Sequence, residues 1–158
     1  MSRTLSAHVI DALDACPATP LVVAYSGGPD STALLHALST TPARPPLRAL
    51  HIDHGLHADS GLWAAHCRRF CESLGVPLDV VRVAVDLTTG EGVEAAARHA
   101  RRRAFLAHVK PGERLVTAHH RDDQVETVLL KLLRGAGPEG LGGMRALRPL
   151  GAGAQWRP

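Results

Sequence analysis

Six consecutive residues offer the clearest chemistry in the chain: Ser26-Gly27-Gly28-Pro29-Asp30-Ser31, directly after the apolar run Leu21–Tyr25 and before a helical pattern. Adjacent glycines let a backbone turn through positive φ and come close to a ligand. The start of the following helix adds unpaired N–H groups and a partial positive charge. A phosphate or pyrophosphate is the natural occupant. The chain has no Gly-x-x-x-x-Gly-Lys-Ser/Thr, since no lysine precedes Lys110, and no strand is followed by Gly-x-Gly-x-x-Gly. The plain alternative is a strand-to-helix turn with Asp30 or Ser31 as helix cap.

Two further segments concentrate titratable groups. His51-Ile52-Asp53-His54-Gly55-Leu56, followed by His57, closes a second apolar run. Three histidines beside one aspartate suggest zinc, but a strand sends alternate residues to opposite faces, which suits a shared metal badly. Thr117-Ala118-His119-His120-Arg121-Asp122-Asp123-Gln124-Val125-Glu126-Thr127 closes a fourth run. Asp123 and Glu126 stand three apart at the first turn of a predicted helix. They suit a capping box, and equally a magnesium site or a group that orients a reactant.

These residues need a scaffold, and the spacing predicts one. Strands are expected at 21–25, 47–52, 78–85 and 115–118. Helices are expected at 30–39, 62–74 with Gly75 as C-terminal cap, 93–109, and 122–133 closed by Gly135. The repeat of about 30 residues is that of βαβ units, which gives an α/β fold with parallel strands and helices on both faces. The last 25 residues are rich in Gly, Pro and Arg, with a hint of a strand at Gln155-Trp156.

Composition sets the bounds. A chain of 158 residues fits one domain. Five aromatic residues leave the core to Ala, Val and Leu. The net charge of +3 is carried almost wholly by arginine, in a cluster at Arg98, Arg101, Arg102 and Arg103. That bias suits polyanions but is equally the mark of a GC-rich genome. Cys67 and Cys71, four apart, read as two small buried groups on one helix face, and with Cys16 they form no CxxC pair. The N-terminus has neither the apolar run of a membrane anchor nor the pattern of a signal peptide, so a cytoplasmic protein is expected.

The hexapeptide after a hydrophobic strand resembles the PP-loop of the N-type ATP pyrophosphatases, which cleave ATP between its α and β phosphates. The resemblance implies an adenine nucleotide alpha hydrolase-like, Rossmann-like sheet of about five strands in the order 3-2-1-4-5. It places Ser26, Gly27, Gly28, Pro29, Asp30 and Ser31 on pyrophosphate and gives Asp30 a role at magnesium. His-x-Asp-His-Gly resembles the tRNA-isoleucine lysidine synthetase family, and puts Asp53, His54 and Gly55 in the ATP pocket. The 119–127 segment resembles the same family closely. So does Glu94-Ala95-Ala96-Ala97-Arg98-His99-Ala100-Arg101, which lands Arg98 on ATP; Arg102 stands where that family usually has tyrosine. For Arg102 and Arg103 a solvated helix face is the preferred reading. The glycine-rich run Arg134–Met144 also matches, as a loop over nucleotide or tRNA.

The resemblance spans about residues 18 to 150 and implies a ligase. ATP with Mg2+ would activate the C2 oxygen of cytidine 34 in tRNA(Ile) bearing a CAU anticodon. L-lysine would then displace AMP to give lysidine. Asp30, Asp123, Glu126 and His120 are the implied catalytic residues, with Asp30 and Asp123 at the metal; the base is Asp123, Glu126 or a histidine of the His119-His120 pair. Residues 1–150 are expected to form the PP-loop domain and 151–158 to start a further strand. The family's C-terminal tRNA-binding domains are expected to be absent. Other readings are tRNA thiolation, an amide-forming ligase, or an ATP-binding fragment without turnover.

Overall fold

A computed structural model of the chain describes residues 18–90, 92–118 and 147–156. Each apolar run becomes a strand: β1 (Leu21–Ala24), β2 (Leu47–Asp53), β3 (Leu78–Arg82) and β4 (Arg114–Val116). The periodic segments become helices: α1 (Pro29–Thr40), α2 (Ser60–Ser73) and α3 (Val93–His108). β3 is shorter than its apolar pattern, because pairing with β2 ends at Asp53 opposite Arg82. The helix expected at 122–133 lies outside the described residues.

The sheet has six strands in the order β3-β2-β1-β4-β6-β5, where β5 is Leu147–Leu150 and β6 is Gly153–Trp156. The expected order holds through its first four places, and all those pairings are parallel. The fifth place also holds: it belongs to β6, the strand hinted at by Gln155-Trp156, parallel to β4, and an unexpected strand, β5, is added antiparallel at the edge. The cause is local. Gly151 has φ +54 and with Ala152 makes the two-residue connection of a hairpin, a glycine-first turn that matches strand twist. Pro149 is tolerated because β5 is an edge strand.

Helices cover both faces. α1 and α2 close one, where Val23, Tyr25 and Ala49 meet Leu34, Leu35, Leu38, Cys67 and Cys71. α3 closes the other, where Val22, Leu50, Ile52 and Leu115 meet Ala104, Val109 and Leu150. α3 buries Ala96, Ala100 and Ala104, a one-sided stripe of small residues. α2 ends as its Gly75 predicts. The Val76 N–H donates to the Cys71 carbonyl at 3.0 Å and the Gly75 N–H to Glu72 at 3.1 Å, with Gly75 at φ +63. That pair of bonds is the Schellman closure.

At the amino ends of the strands a single arginine ties the sheet together. Arg48 of β2 donates from Nε and one terminal nitrogen to both carboxylate oxygens of Glu113, at 2.9 and 2.7 Å. Its other nitrogen reaches Asp79 of β3 at 2.7 Å, and the first also donates to the His108 carbonyl at 2.9 Å. A bidentate guanidinium–carboxylate pair is the strongest form of such a contact.

Candidate nucleotide site

The hexapeptide forms the turn from β1 into α1. Gly27 takes φ +82. Gly28 is the N-cap and makes no side-chain cap bond; Pro29 opens the helix, where its missing N–H costs nothing. The alternative of Asp30 or Ser31 as cap is therefore corrected: both already lie within the first turn. Ser31, buried, instead braces the loop. Its Oγ donates to the Gly28 carbonyl at 3.2 Å, accepts the Ser26 N–H at 3.3 Å and lies 3.0 Å from the Ser26 Oγ. The Gly28 N–H is turned onto the Ser26 Oγ at 3.2 Å. Asp30 is exposed and faces the cleft beyond the strands.

The second segment lies alongside, at the end of β2. Asp53 Oδ1 accepts the Gly55 N–H at 2.9 Å, and Gly55 takes φ +62. A Cβ on Gly55 would lie 3.4 Å from the Arg82 guanidinium, so that turn is packed under an arginine. The three histidines border the same cleft but do not converge on one point. His51 is buried toward α2; its Nδ1–H donates to the Tyr25 carbonyl at 2.8 Å, and Cys67 Sγ lies 3.7 Å from the same nitrogen. His57 Nδ1 accepts the Asp59 N–H at 3.2 Å. No three His, Cys, Asp or Glu gather as a metal site among the described residues, so the zinc alternative is not supported there. His54 borders the cleft. Burial and then the Arg101 charge push its pKa below the ordinary 6.5, and its buried Nδ1 has no hydrogen-bond partner among the described residues.

α3 supplies the third wall. Arg98, Arg101, Arg102 and Phe105 line the cleft at helical spacing. Arg98 is held loosely, 3.7 Å from Glu94. Arg102, expected with Arg103 on a solvated face, is exposed yet borders the cleft, which amends that reading. The Arg101 guanidinium is held below its ordinary pKa, by burial first and by Arg98 second. The cleft has a volume of about 1360 Å³. It opens beyond the carboxyl ends of β1, β2 and β4, where the strand order reverses, the usual ligand position in such sheets.

Sequence reasoning missed one contributor from α2. Trp63 is half-exposed at the cleft mouth, and its Nε1–H donates to the Ser26 carbonyl at 2.6 Å. Gln155 and Thr117, joined at 3.1 Å, form part of the floor. The expected catalytic residues His120, Asp123 and Glu126, and the run Arg134–Met144, lie outside the described residues.

Residues 1–158 match the family described as the PP-loop domain. The chain belongs to that family. This PP-loop domain is 55% identical over 148 residues to the tRNA(Ile)-lysidine synthase of Xanthomonas axonopodis pv. citri, covering 92% of this chain and 34% of that protein. The lysidine synthase of Alkalilimnicola ehrlichii is 56% identical over 144 residues, covering 90% and 32%. That of Pseudomonas aeruginosa is 54% identical over 139 residues, covering 86% and 31%. The PP-loop domain thus spans about a third of the length of these curated relatives. Among solved structures, the U34-tRNA thiolase NcsA from Methanococcus maripaludis, with its [4Fe-4S] cluster, shares the fold. Its TM-score is 0.63 at 18% identity, over 93% of this chain and 53% of that one. Among the described residues no helix is long and apolar enough to cross a membrane.

Proposed function

We propose that this PP-loop domain binds ATP and carries out the ATP-cleaving half of lysidine synthesis. In this reading the pyrophosphate rests on Ser26–Ser31, and Asp53, His54, Gly55 and Arg98 enclose the rest of the nucleotide. ATP adenylates the C2 oxygen of cytidine 34 in tRNA(Ile) with a CAU anticodon, releasing pyrophosphate. The lysine ε-amine then attacks C2 and AMP leaves. The observation that carries the reading is the braced loop turned at Gly27 beside the strand-order switch, in a chain more than half identical to proteins named tRNA(Ile)-lysidine synthase.

The side chains divide the work. Arg98 and Arg101 would offset charge that builds on the phosphates. His54, whose burial disfavours the charged form, would offer the nucleotide a hydrogen-bonding edge. Asp30 presents a hard carboxylate oxygen beside the loop, which fits magnesium, an ion commonly held by one or two carboxylates together with phosphate oxygens. Asp30 and Asp123 would hold it, and it would neutralise charge on the leaving pyrophosphate. Asp123, Glu126 or a histidine of the His119-His120 pair would take the proton from the attacking ammonium. We extend the PP-loop domain beyond residues 1–150 to take in β6, which pairs with β4, with the protein acting in the cytoplasm.

Thiolation suits the site less well. Cys67 and Cys71 are fully buried against the sheet, and burial pushes both thiols up to about 11. Such groups are poor ligands and poor nucleophiles. The test is to incubate the purified chain with ATP, L-lysine and tRNA(Ile) transcript, assaying pyrophosphate, AMP and lysidine in the digested tRNA. Release of all three is expected. ATP binding with no product would support the reading of a nucleotide-binding fragment instead.

A further inference from the structure

We infer that Trp63 is a positioning residue for the phosphate loop: its indole N–H holds the Ser26–Gly27 peptide in the orientation that a pyrophosphate requires. The inference rests on the ATP-binding reading above and adds a residue to it.

Three observations carry it. The Trp63 Nε1–H donates to the Ser26 carbonyl at 2.6 Å, across 37 residues of sequence. A Cβ built on Gly27 would lie 2.8 Å from Cys67 Sγ and 2.9 Å from Trp63 Nε1, so the loop is seated directly on α2 with no space between. Trp63 is also 51% exposed, although indole is a large apolar group that a helix ordinarily buries. Its placement is therefore poorly explained by packing and well explained by its polar end.

The consequence follows from the planarity of the peptide. In a trans peptide the carbonyl and the next N–H point in opposite directions. Pinning the Ser26 carbonyl to the indole aims the Gly27 N–H away from it, to the other side of the loop. The Gly28 N–H is already used by the Ser26 Oγ, so the Gly27 amide becomes the loop's own donor. Without the indole, the Ser26–Gly27 peptide is free to flip, since the glycine tolerates either φ sign.

The test compares ligands with and without a diphosphate. Calorimetric titration of Trp63→Phe should show pyrophosphate and ATP bound more weakly by the same factor, about three- to tenfold for one hydrogen bond. AMP affinity should not change. A loss for AMP equal to that for ATP would mean general damage to the cleft and would overturn the inference. So would unchanged affinity for all three ligands. In the wild type, the indole N–H resonance of Trp63 should move together with the Gly27 amide as pyrophosphate is added, while that of buried Trp156 stays still. A static Trp63 signal on a ligand that binds is equally fatal, and needs no variant to fold. A wild type that binds neither ATP nor pyrophosphate would overturn the functional reading first, and the inference with it.

Discussion

At the residue scale the cleft depends on a few groups held in unusual states. His54 is the clearest. Burial is the main cause of its lowered pKa and the Arg101 cation the second, so its imidazole gives up its proton more readily than an ordinary histidine does. An NMR pH titration should place its midpoint below 6.5, and Arg101→Gln should raise that midpoint only part of the way. A depressed histidine value adds stability that is present above the unfolded value and lost as the pH falls. Asp30 makes a different prediction. Asp30→Ala should leave the circular dichroism spectrum intact while pyrophosphate release drops about a hundredfold, the scale seen when a charge-stabilising group is removed from a reacting centre. Unchanged turnover would refute its role at magnesium. The loop was readable in the sequence because its chemistry is contiguous, six residues between a strand and a helix. Trp63 was not. On paper it is one more apolar position in an amphipathic helix, and its meaning depends on a carbonyl 37 residues away.

At the element scale the strands and helices follow their apolar patterns, and the errors fall where a partner rather than a pattern decides. The β5–β6 hairpin has no Asn-Gly or Asp-Gly signal and contains a proline, so only its second strand is hinted at in the sequence, at Gln155-Trp156. Gly27 shows what a junction between elements demands. Gly27→Ala puts an L-residue at φ +82 and a methyl carbon into Cys67 and the indole. The cost should be about 2 kcal/mol or more, visible as a Tm lower by about 4–8 °C, with weaker pyrophosphate binding. Gly153→Ala should act on the other side of the sheet, because its Cβ would run into the Glu113 carbonyl and the Val109 side chain. The hairpin would be pushed off β4, and amide exchange in β6 should accelerate before that in β1.

At the scale of the whole molecule, the Arg48 cluster joins β2, β3 and β4 to the end of α3. Its partners lie 31 and 65 residues away in sequence, which is why it reads there as an ordinary polar position on a strand. Arg48 is the main cause of the lowered Glu113 pKa. Glu113 therefore contributes stability in full above its ordinary value of 4.5, and that contribution is lost as the pH falls through the folded value. Urea titrations should show Arg48→Met less stable by about 3 kcal/mol, and Glu113→Gln with a flatter dependence on pH in acid. The two core cysteines report on the same global event. Because burial raises both thiols to about 11, an alkylating reagent should modify Cys67 and Cys71 only as the protein unfolds.

The Arg48 cluster stands at the amino ends of the strands and the phosphate loop at their carboxyl ends, with the depth of the sheet between them. Substitutions that toughen the domain at one end need not disturb the nucleotide site proposed at the other. Most proteins gain robustness at the expense of a strained or mobile active centre, but here the two tasks occupy opposite rims of one sheet. A lineage, or an engineer, can therefore strengthen the amino-end rim first, and then use that reserve to tolerate loop changes that alter which nucleotide or acceptor the other rim accepts.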